Sequence, residues 1–322
     1  MPSQAKVVLT DYVWDSLDVE RKALEGIADL VALQTKKPDE FLAEARDCDA
    51  LLNTYAGPIT GEVMAQMPRC KIIARYGIGV DTIDLDAATA AGIIVTNNPT
   101  YCVEEVADHT MALLLACARK VVFFDRMVRS GGWAVPPGKP IFRLAGRTLG
   151  IVGFGRIGKQ VALRAGAFGM RVLWFDPYLD IEGTDLQTLL RESDFVSLHL
   201  PLTPQTRMLI GEAELRQMKR TAYVVNCSRG PVVATAALVR ALDEGWIAGC
   251  AIDTTDPEPL PDPHPLRGRE NVILQPHVAW YSEEAMRGLQ AGAPSEVRRV
   301  LTRTWPVNVV NGAVKERNRA GL

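Results

Sequence analysis

The sequence predicts an α/β protein built from two parallel-sheet domains, and three observations lead to this fold class. The chain has 322 residues, which exceeds the usual size of one domain. Short apolar runs alternate with segments of helical periodicity along most of the chain, a pattern typical of βαβ units. One of these units, near the middle, carries a glycine-rich turn between its strand and its helix.

The segment before residue 98 is predicted to form the first sheet. Strand patterns occur at residues 5–9, 31–33, 50–53, 71–75 and 93–96, and helical patterns occur at 17–27, 38–45, 64–67 and 84–91. This alternation without a phosphate turn predicts a flavodoxin-like parallel sheet. It stops at Asn97-Asn98-Pro99, which is typical of a boundary. We therefore expect a first domain at residues 1–98, completed by residues 290–322.

A long apolar helix and a proline-rich arm come next. Val103–Val122 carries apolar residues on nearly its whole surface, so other protein must cover it. The arm that follows, Ser130–Pro140, is rich in glycine and proline and carries Trp133. Such an arm is uncommon in a compact monomer. We expect it to reach onto the second subunit of a homodimer, although a loop folded back on its own surface also fits the sequence.

The most informative motif lies between Thr148 and Pro177. An apolar run enters the turn Gly153-Phe154-Gly155-Arg156-Ile157-Gly158, and a helical pattern follows it. A second apolar run then ends at Asp176, 18 residues past the last glycine of the turn. Strand, tight turn, helix, strand and acid in this order are the layout of a dinucleotide-binding Rossmann unit.

Each residue type in the turn has a physical task in this layout. Gly153 allows the turn, Gly155 lets the backbone approach a pyrophosphate, and Gly158 lets the helix pack closely on its strand. Arg156 and Ile157 open the helix, where free N–H groups and a partial positive charge attract phosphates. The structural alternative is an ordinary βα turn without a ligand.

Asp176 indicates which dinucleotide is bound. Its carboxylate can accept hydrogen bonds from both ribose hydroxyls, and its charge would repel the additional phosphate of NADP. NAD is therefore the predicted cofactor, although Arg171 or a more distant residue could still admit NADP. A polar residue that merely ends its strand is the alternative for Asp176.

The rest of the chain continues the alternation. Helical patterns occur at residues 186–192, 212–218, 236–244 and 283–301, and strand patterns at 195–200, 223–226, 249–253 and 272–274. With the glycine-turn unit they predict a nucleotide domain at residues 99–289, inserted into the discontinuous first domain. The predicted fold class is therefore α/β, with two Rossmann-like or flavodoxin-like domains.

Composition and charge exclude several classes of partner. A formal net charge of −2 gives no electrostatic case for binding nucleic acid or an anionic membrane. The longest strongly apolar run, Met111–Ala118, is too short to span a bilayer. The 6 cysteines are scattered without a Cys-x-x-Cys pair, so neither a disulfide framework nor a metal site is expected. These features predict a cytoplasmic protein.

Four motifs follow one another in a recognisable order. They are Gly153–Gly158 with Asp176, Asn226–Gly230, Asp253 with Asp256–Pro259, and Pro276-His277. Together they resemble the D-isomer-specific 2-hydroxyacid dehydrogenase family, strongly from about Lys71 to Leu301 and more loosely before it. The resemblance implies NAD-dependent interconversion of a D-2-hydroxy acid and its 2-keto acid.

Three residues in these motifs suit that chemistry. Arg229 follows a strand, and its planar guanidinium can hold a carboxylate and polarise the adjacent carbonyl. His277 also follows a strand and is a general acid/base that works near neutral pH. Glu258, on the preceding loop, can fix the tautomer of His277 and favour its protonated form. The structural alternatives are that Arg229 is a surface cation, Glu258 a loop carboxylate and His277 a core histidine. Because all three residues lie beside a nucleotide-binding fold, a catalytic role is favoured.

The resemblance also implies contacts for substrate and cofactor. Backbone N–H groups of Ile78 and Gly79 would hold the substrate carboxylate beside Arg75. Trp280 would wall the substrate side-chain pocket, unless it serves packing alone. Contacts to the cofactor would come from Leu200, Pro201 and Thr206 on the adenosine side, and from Cys227, Ser228 and Asp253, the last holding the nicotinamide amide.

Two positions depart from the family pattern. Ala234 stands where an acidic residue often opens the next helix, so Thr235 is expected to cap that helix instead. Thr254-Thr255 replaces a bulky apolar pair after Asp253. Neither departure touches a predicted catalytic residue.

Within the family, three segments are most similar to one branch. Arg75–Gly79, Asp176–Leu179 and His277–Glu284 resemble the C-terminal-binding-protein corepressors and their bacterial dehydrogenase relatives. This leaves an NAD(H)-sensing binding protein as a second functional hypothesis. A phosphoglycerate dehydrogenase is a third, although a chain of 322 residues leaves no room for an added regulatory domain.

Overall fold

A computed structural model describes residues 4–179 and 183–322 and divides the chain into two units. One unit comprises Met1–Tyr101 with Ser282–Leu322, and the other comprises Cys102–Tyr281. The boundary predicted at residue 290 lies inside a continuous helix, Glu283–Leu301. Because the first unit takes that helix whole, the chain crosses between the units at Ser282 instead.

The first unit is a five-stranded parallel sheet with helices. Its elements are β1 (Ala5–Leu9), α1 (Asp18–Leu24), β2 (Ala28–Ala32), α2 (Pro38–Ala45), β3 (Ala50–Asn53), α3 (Gly61–Ala65), β4 (Ile72–Arg75), α4 (Leu85–Ala90), β5 (Ile94–Thr96) and the last helix of the chain, α11 (Glu283–Leu301). The strand order is β2-β1-β3-β4-β5. β3 and β4 are buried along their whole length, as expected for strands of a parallel sheet covered on both faces.

The second unit is a six-stranded parallel sheet. Its strands are β6 (Thr148–Val152), β7 (Arg171–Phe175), β8 (Phe195–Leu198), β9 (Tyr223–Asn226), β10 (Gly249–Ile252) and β11 (Val272–Leu274). Its helices are α5 (Val103–Arg119), α6 (Val121–Arg129), α7 (Arg156–Ala167), α8 (Leu186–Glu192), α9 (Glu212–Gln217) and α10 (Thr235–Asp243). The strand order β11-β10-β9-β8-β6-β7 reverses beside β6, and such a reversal marks the ligand crevice of open α/β sheets. The predicted fold class is confirmed.

The prediction of one continuous helix over Val103–Val122 is wrong. Lys120 adopts a left-handed conformation (φ 52°), so the chain forms α5 and α6 instead of one helix. The backbone N–H of Lys120 caps the carbonyls of Ala116 and Cys117. Both flanking segments have helical periodicity, and the turn uses lysine where glycine would be usual, so the sequence pattern gives no sign of the break.

Other local predictions also differ from the structure, and the helix predicted at 64–67 lies at Gly61–Ala65. The second strand begins at Ala28 and not at Val31, because it pairs in parallel with all five residues of β1. Thr235 does not cap its helix: Ala234 takes the cap position, and the Thr235 hydroxyl donates to the carbonyl of Asp256 (3.2 Å). Thr235 therefore ties the helix to the loop that carries Glu258.

No helix among residues 4–179 and 183–322 is long and apolar enough to cross a membrane.

Candidate active site

All six strands of the second unit end in residues that the sequence singled out. β6 leads into Gly153, β7 into Asp176, β8 into Leu200 and Pro201, β9 into Cys227, Ser228 and Arg229, β10 into Asp253, and β11 into His277. Since the sheet is parallel, these residues lie along one edge, where open α/β sheets bind ligands. Predicted cofactor and catalytic residues are thus brought together within one unit.

The glycine turn has the geometry of a phosphate-binding loop. Gly153 has φ +99°, and an added Cβ would lie 2.6 Å from the carbonyl carbon of His199. A Cβ on Gly158 would lie 2.2 Å from the carbonyl oxygen of Gly153, so helix α7 packs closely there. Gly155 has free space beside it, because no atom of the described residues lies within 4 Å of its added Cβ. The open space at Gly155 is where a pyrophosphate would approach the backbone.

Asp176 anchors this loop as well as ending β7. Its Oδ2 accepts the backbone N–H of Phe154 (2.7 Å), and its Oδ1 accepts that of Tyr178 (2.9 Å). The ring of Phe154 stacks on Trp174, with centroids 4.6 Å apart. A carboxylate offers about four acceptor positions, so Asp176 retains capacity for ribose hydroxyls.

Arg229 stands on a turn that Asn226 builds. The Asn226 side chain is buried, its amide donates to the carbonyl of Arg229 (2.9 Å), and its oxygen accepts the N–H (3.0 Å) and the hydroxyl (2.8 Å) of Ser228. Sequence reasoning used Asn226 only as part of a motif. An Asn at a strand end followed by a polar turn is the signal for this positioning role.

His277 and Glu258 form a hydrogen-bonded pair. Nδ1 of His277 lies 2.6 Å from Oε1 of Glu258, and because an ionised carboxylate can only accept, Nδ1 is the donor. This leaves Nε2 of His277 to exchange a proton with a substrate. Burial pushes the pKa of Glu258 up, but the hydrogen bond from His277 and the charges of His277 and Arg229 outweigh it and lower the pKa overall.

The loop that carries His277 is fixed by Asp253. His277 adopts a left-handed conformation (φ 57°), which is uncommon for a residue other than glycine. Its N–H donates to the Asp253 carbonyl (2.8 Å), and the buried Asp253 carboxylate accepts the N–H groups of Val278 (2.8 Å) and Ala279 (3.1 Å). Asp253 therefore holds the backbone geometry that aims the imidazole.

A second histidine at the same sheet edge is unsuited to acid/base work. Nε2 of His199 is hydrogen-bonded to the hydroxyl of Ser197 (2.7 Å). Burial lowers the pKa of His199 to about 3, so this ring is neutral at physiological pH. His277 is the histidine of this edge that combines partial exposure with a carboxylate partner.

Residues assigned to the adenosine side and to the cofactor turn are partly structural. The side chain of Leu200 belongs to the hydrophobic core, and the buried hydroxyl of Thr206 donates to the carbonyl of Pro201 (2.6 Å), which shapes their loop. Burial raises the pKa of the Cys227 thiol to about 12, so Cys227 is a neutral group and not a nucleophile.

His109 is a residue that the sequence reasoning missed. It lies on α5, and its Nε2 is 4.0 Å from Oδ1 of Asp253. Nε2 is buried and has no hydrogen-bond partner among the residues that the structure describes. Its position in an apolar helix gave no signal, because a histidine there is usually part of the core.

The predicted substrate residues Arg75, Ile78 and Gly79 belong to the first unit. Arg75 is 8% exposed and donates to the carbonyl of Tyr76. Its guanidinium carbon lies 5.7 Å from the centre of the Tyr55 ring, a neighbour that the sequence did not indicate. Within the described chain, the N–H groups of Ile78 and Gly79 donate to no protein acceptor, as an anion-binding turn requires.

Trp280 belongs to the second unit, three residues after His277. It is half-buried, and its ring meets that of Tyr281 edge to face, with centroids 5.6 Å apart and an angle of 80°. Its place in the chain, three residues after His277, makes it a candidate for a pocket wall.

Comparison with known proteins agrees with this geometry. The sequence profile "D-isomer specific 2-hydroxyacid dehydrogenase, NAD binding domain" matches residues 111–279. A glyoxylate reductase of Korarchaeum cryptofilum is 46% identical over 85% of this chain and 86% of its own length. A D-3-phosphoglycerate dehydrogenase of Methanocaldococcus jannaschii is 37% identical over 95% of this chain and 59% of its own length.

A solved structure is similar over nearly the whole chain. The D-lactate dehydrogenase of Aquifex aeolicus, complexed with NAD and lactic acid, superposes with a TM-score of 0.85 at 28% identity, covering 97% of this chain and 98% of that one. Its fold agrees with the two parallel sheets described above. The residues at the strand ends, the sequence profile and the relatives agree. The chain belongs to the D-isomer-specific 2-hydroxyacid dehydrogenase family.

Proposed function

We propose that this enzyme uses NADH to reduce a small 2-keto acid to the D-2-hydroxy acid and catalyses the reverse oxidation with NAD. The observation that carries the proposal is the His277–Glu258 pair (2.6 Å) on the sheet edge that also carries the open glycine turn. Glyoxylate is the first candidate substrate, because the Korarchaeum cryptofilum relative is a glyoxylate reductase.

The bound nicotinamide supplies the hydride, and the residues of the chain do the rest. Arg229 binds the substrate carboxylate and polarises the carbonyl. His277 donates a proton from Nε2 to the carbonyl oxygen as the hydroxyl forms, and in oxidation it accepts that proton back. Glu258 stays ionised beside Nδ1, because its pKa is lowered, and it stabilises the imidazolium.

Substrate and cofactor contacts complete the proposal. The unpaired N–H groups of Ile78 and Gly79 hold the substrate carboxylate, with the cation of Arg75 nearby in the same unit. Asp176 selects NAD over NADP by accepting ribose hydroxyls. Asp253 binds the nicotinamide amide. Its carboxylate is held in place at the end of β10 because it accepts the backbone N–H of Val278, the residue after His277.

A substrate panel tests the proposed activity. Purified protein is given NADH or NADPH with glyoxylate, pyruvate, hydroxypyruvate, phenylpyruvate and 3-phosphohydroxypyruvate, and cofactor oxidation is followed by absorbance. We expect turnover of at least one acid with NADH and slower turnover with NADPH. NADH binding without turnover of any acid would instead favour an NAD(H)-sensing protein of the corepressor type. The assignment of this chain to the branch that contains the C-terminal-binding-protein corepressors stays a prediction.

Trp280 gives a prediction about substrate choice. If it walls the side-chain pocket, acids with apolar or aromatic side chains should be reduced better than charged ones. Trp280→Ala should then raise KM for phenylpyruvate by a different factor than KM for glyoxylate. Trp246→Ala, a buried tryptophan of the same unit, controls for general damage. An equal loss with both acids would show that Trp280 serves packing alone.

Assembly into a homodimer is the second part of the proposal. Helix α6 has no buried residue, Val121 and Val128 are 56% and 46% exposed, and Trp133 is 89% exposed. Beside them lies a cavity of about 430 Å³, whose lining includes Phe123 and Phe142. Apolar surface of this extent favours a partner, and a two-fold contact between identical copies is the commonest solution.

Light scattering tests the dimer. The wild-type protein should have twice the chain mass at micromolar concentration, and Trp133→Ser should shift the equilibrium toward the monomer. Val307→Ser is the matched control, since Val307 is 67% exposed in the other unit and should leave the mass unchanged. A monomeric wild-type protein would contradict the proposal.

A further inference from the structure

Two asparagines hold the loop of residues 76–79, called here the Gly77 loop. Asn98 donates its backbone N–H to the carbonyl of Gly77 (2.9 Å) and its side-chain amide to the carbonyl of Gly288 in α11 (3.0 Å). Asn97 donates its amide to the carbonyl of Ile78 (2.7 Å). The carbonyl groups of Gly77 and Ile78 are thus occupied, while the N–H groups of Ile78 and Gly79 are left for a ligand.

A buried carboxyl makes a second connection between this loop and α11. The Tyr76 hydroxyl donates to Oε1 of Glu20 (3.3 Å), and the Gln290 amide donates to Oε2 (2.9 Å). Gln290 also donates to the carbonyl of Ser16 (2.7 Å). Tyr76 is 2% exposed and Glu20 is fully buried. The loop is therefore joined to α1 and α11 through a network inside one unit.

A network of this kind fixes the positions of its members. Burial raises the pKa of Glu20, and the hydrogen bonds from Gln290 and Tyr76 counteract that shift. A buried polar group that loses its partner destabilises the folded protein. The network is therefore confined to the few arrangements in which every donor and acceptor is paired. The proposed chemistry gives Glu20 no task of its own, so its burial calls for another explanation.

We propose that Glu20, Gln290 and Asn98 are positioning residues, which hold the N–H groups of the Gly77 loop in the geometry that binds the substrate carboxylate. The inference rests on the proposed function, which assigns the carboxylate to this loop. Both connections end on α11, at Gly288 and Gln290. α11 is also the first element after the chain leaves the second unit at Tyr281.

A small displacement of the loop should therefore change substrate binding specifically. Loss of alignment of a charge-assisted hydrogen bond lowers affinity by about 10-fold. We expect KM for the keto acid to rise by about that factor, with KM for NADH unchanged. Inhibition by oxalate, an anion that presents a carboxylate and cannot be reduced, should weaken in parallel.

Tyr76→Phe is the first test, because it removes the hydroxyl and keeps the ring that packs 4.8 Å from Trp14. Its matched control is Tyr12→Phe in the same aromatic cluster. The Tyr12 hydroxyl bonds to none of the residues that the structure describes, so this variant should keep the wild-type KM. Glu20→Gln retains an acceptor for Tyr76 and should lie between the wild type and Tyr76→Phe.

Gly292→Ala is an independent test that acts by steric pressure. Its added Cβ would lie 2.2 Å from Nδ2 of Asn98, so the Asn98 amide must move and give up its hydrogen bond to the Gly288 carbonyl, which is the connection between Asn98 and α11. Alanine also favours the helix, so the variant should still fold. Gly166→Ala in α7 is the control, because nothing lies within 4 Å of its added Cβ.

The outcomes separate this inference from the proposed function. A KM for the keto acid that rises in Tyr76→Phe and Gly292→Ala, with no rise in Tyr12→Phe and Gly166→Ala, supports positioning. An unchanged KM in these folded, active variants would overturn the positioning role and leave the proposed function intact, and an equal rise in KM for NADH would overturn it as general damage. A wild-type protein that reduces no keto acid would overturn the proposed function and this inference with it.

Discussion

Replacement of His277 by Gln is expected to lower the rate of keto-acid reduction by about 10²–10⁴-fold, the usual contribution of a positioned general acid. Nδ1 of His277 is held by Glu258 at 2.6 Å, which leaves Nε2 to serve the substrate. Glutamine has a similar reach but no group that gains or loses a proton near neutral pH. A fluorescence titration with NADH should show unchanged cofactor binding, which would confine the loss to chemistry.

The pH dependence of kcat/KM should have a definite sign. Reduction needs the protonated imidazole of His277 and oxidation needs the neutral one, so kcat/KM for reduction should fall as the pH rises, while kcat/KM for oxidation should increase. The pKa of Glu258 is lowered, so this group stays a carboxylate throughout the range in which histidines titrate, ordinarily near pH 6.5. A full negative charge therefore faces Nδ1 of His277 over that whole range.

Glu258→Gln should shift the fall of kcat/KM for reduction, called here the reductive limb, to lower pH. The reason is that the amide carries no charge to stabilise the imidazolium. His277→Gln should abolish the limb. His264→Gln is the matched control: His264 lies on the same proline-rich loop and only caps the N–H of Leu266 (3.2 Å), so its profile should equal that of the wild type. A limb that persists in His277→Gln would mean that another group supplies the proton.

Asp176→Arg is expected to reverse the cofactor preference. The carboxylate that accepts ribose hydroxyls is lost, and a guanidinium that attracts the phosphate of NADP replaces it. A hydrogen bond to a charged group contributes about 1.5–3 kcal/mol, so we expect affinity for NADH to fall by about 10- to 150-fold. Titration of NADH and NADPH fluorescence measures both affinities.

The anchoring role of Asp176 requires a control. The carboxylate also accepts the N–H groups of Phe154 and Tyr178, so its replacement loosens the glycine turn. Asp176→Asn keeps an acceptor and removes the charge, and it should weaken NADH binding less while relaxing the exclusion of NADPH. A wild-type protein that already prefers NADPH would contradict the role of Asp176.

Much of the fold could be predicted because its elements obey local rules. The segments 38–45, 186–192 and 283–301 have the predicted bounds. In each, a residue that favours a helix start, Pro38, Asp185 or Ser282, precedes or opens a clear apolar periodicity. Strands of the parallel sheets are continuous apolar runs, which are equally visible in sequence.

The candidate site was predictable where a motif coincides with a strand end. Arg229 and His277 each follow a strand, and in a parallel sheet these ends share one edge. The distance between His277 and Glu258 was expected from their roles but depends on a proline-rich loop whose path the sequence does not specify. The structure supplies that distance.

Other features depend on tertiary contacts that no local pattern reveals. Lys120 breaks the apolar helix in a left-handed conformation that sequence rules assign to glycine. Thr235 hydrogen-bonds to the Asp256 carbonyl and not to its own helix. His109 lies 4.0 Å from Asp253, and Glu20 accepts a hydrogen bond from Gln290, and both neighbours are distant in sequence.

Hydride transfer from NADH to a 2-keto acid is the central claim, and a labelled turnover tests it most directly. Wild-type protein is incubated with pyruvate or hydroxypyruvate and NADH that carries two deuterium atoms at C4 of the nicotinamide, and the product is analysed by chiral chromatography and mass spectrometry. The account predicts the D-2-hydroxy acid with one deuterium at C2 for each NADH oxidised. NADH that binds but is never oxidised by any acid of the panel, or a product of the L configuration, would contradict it.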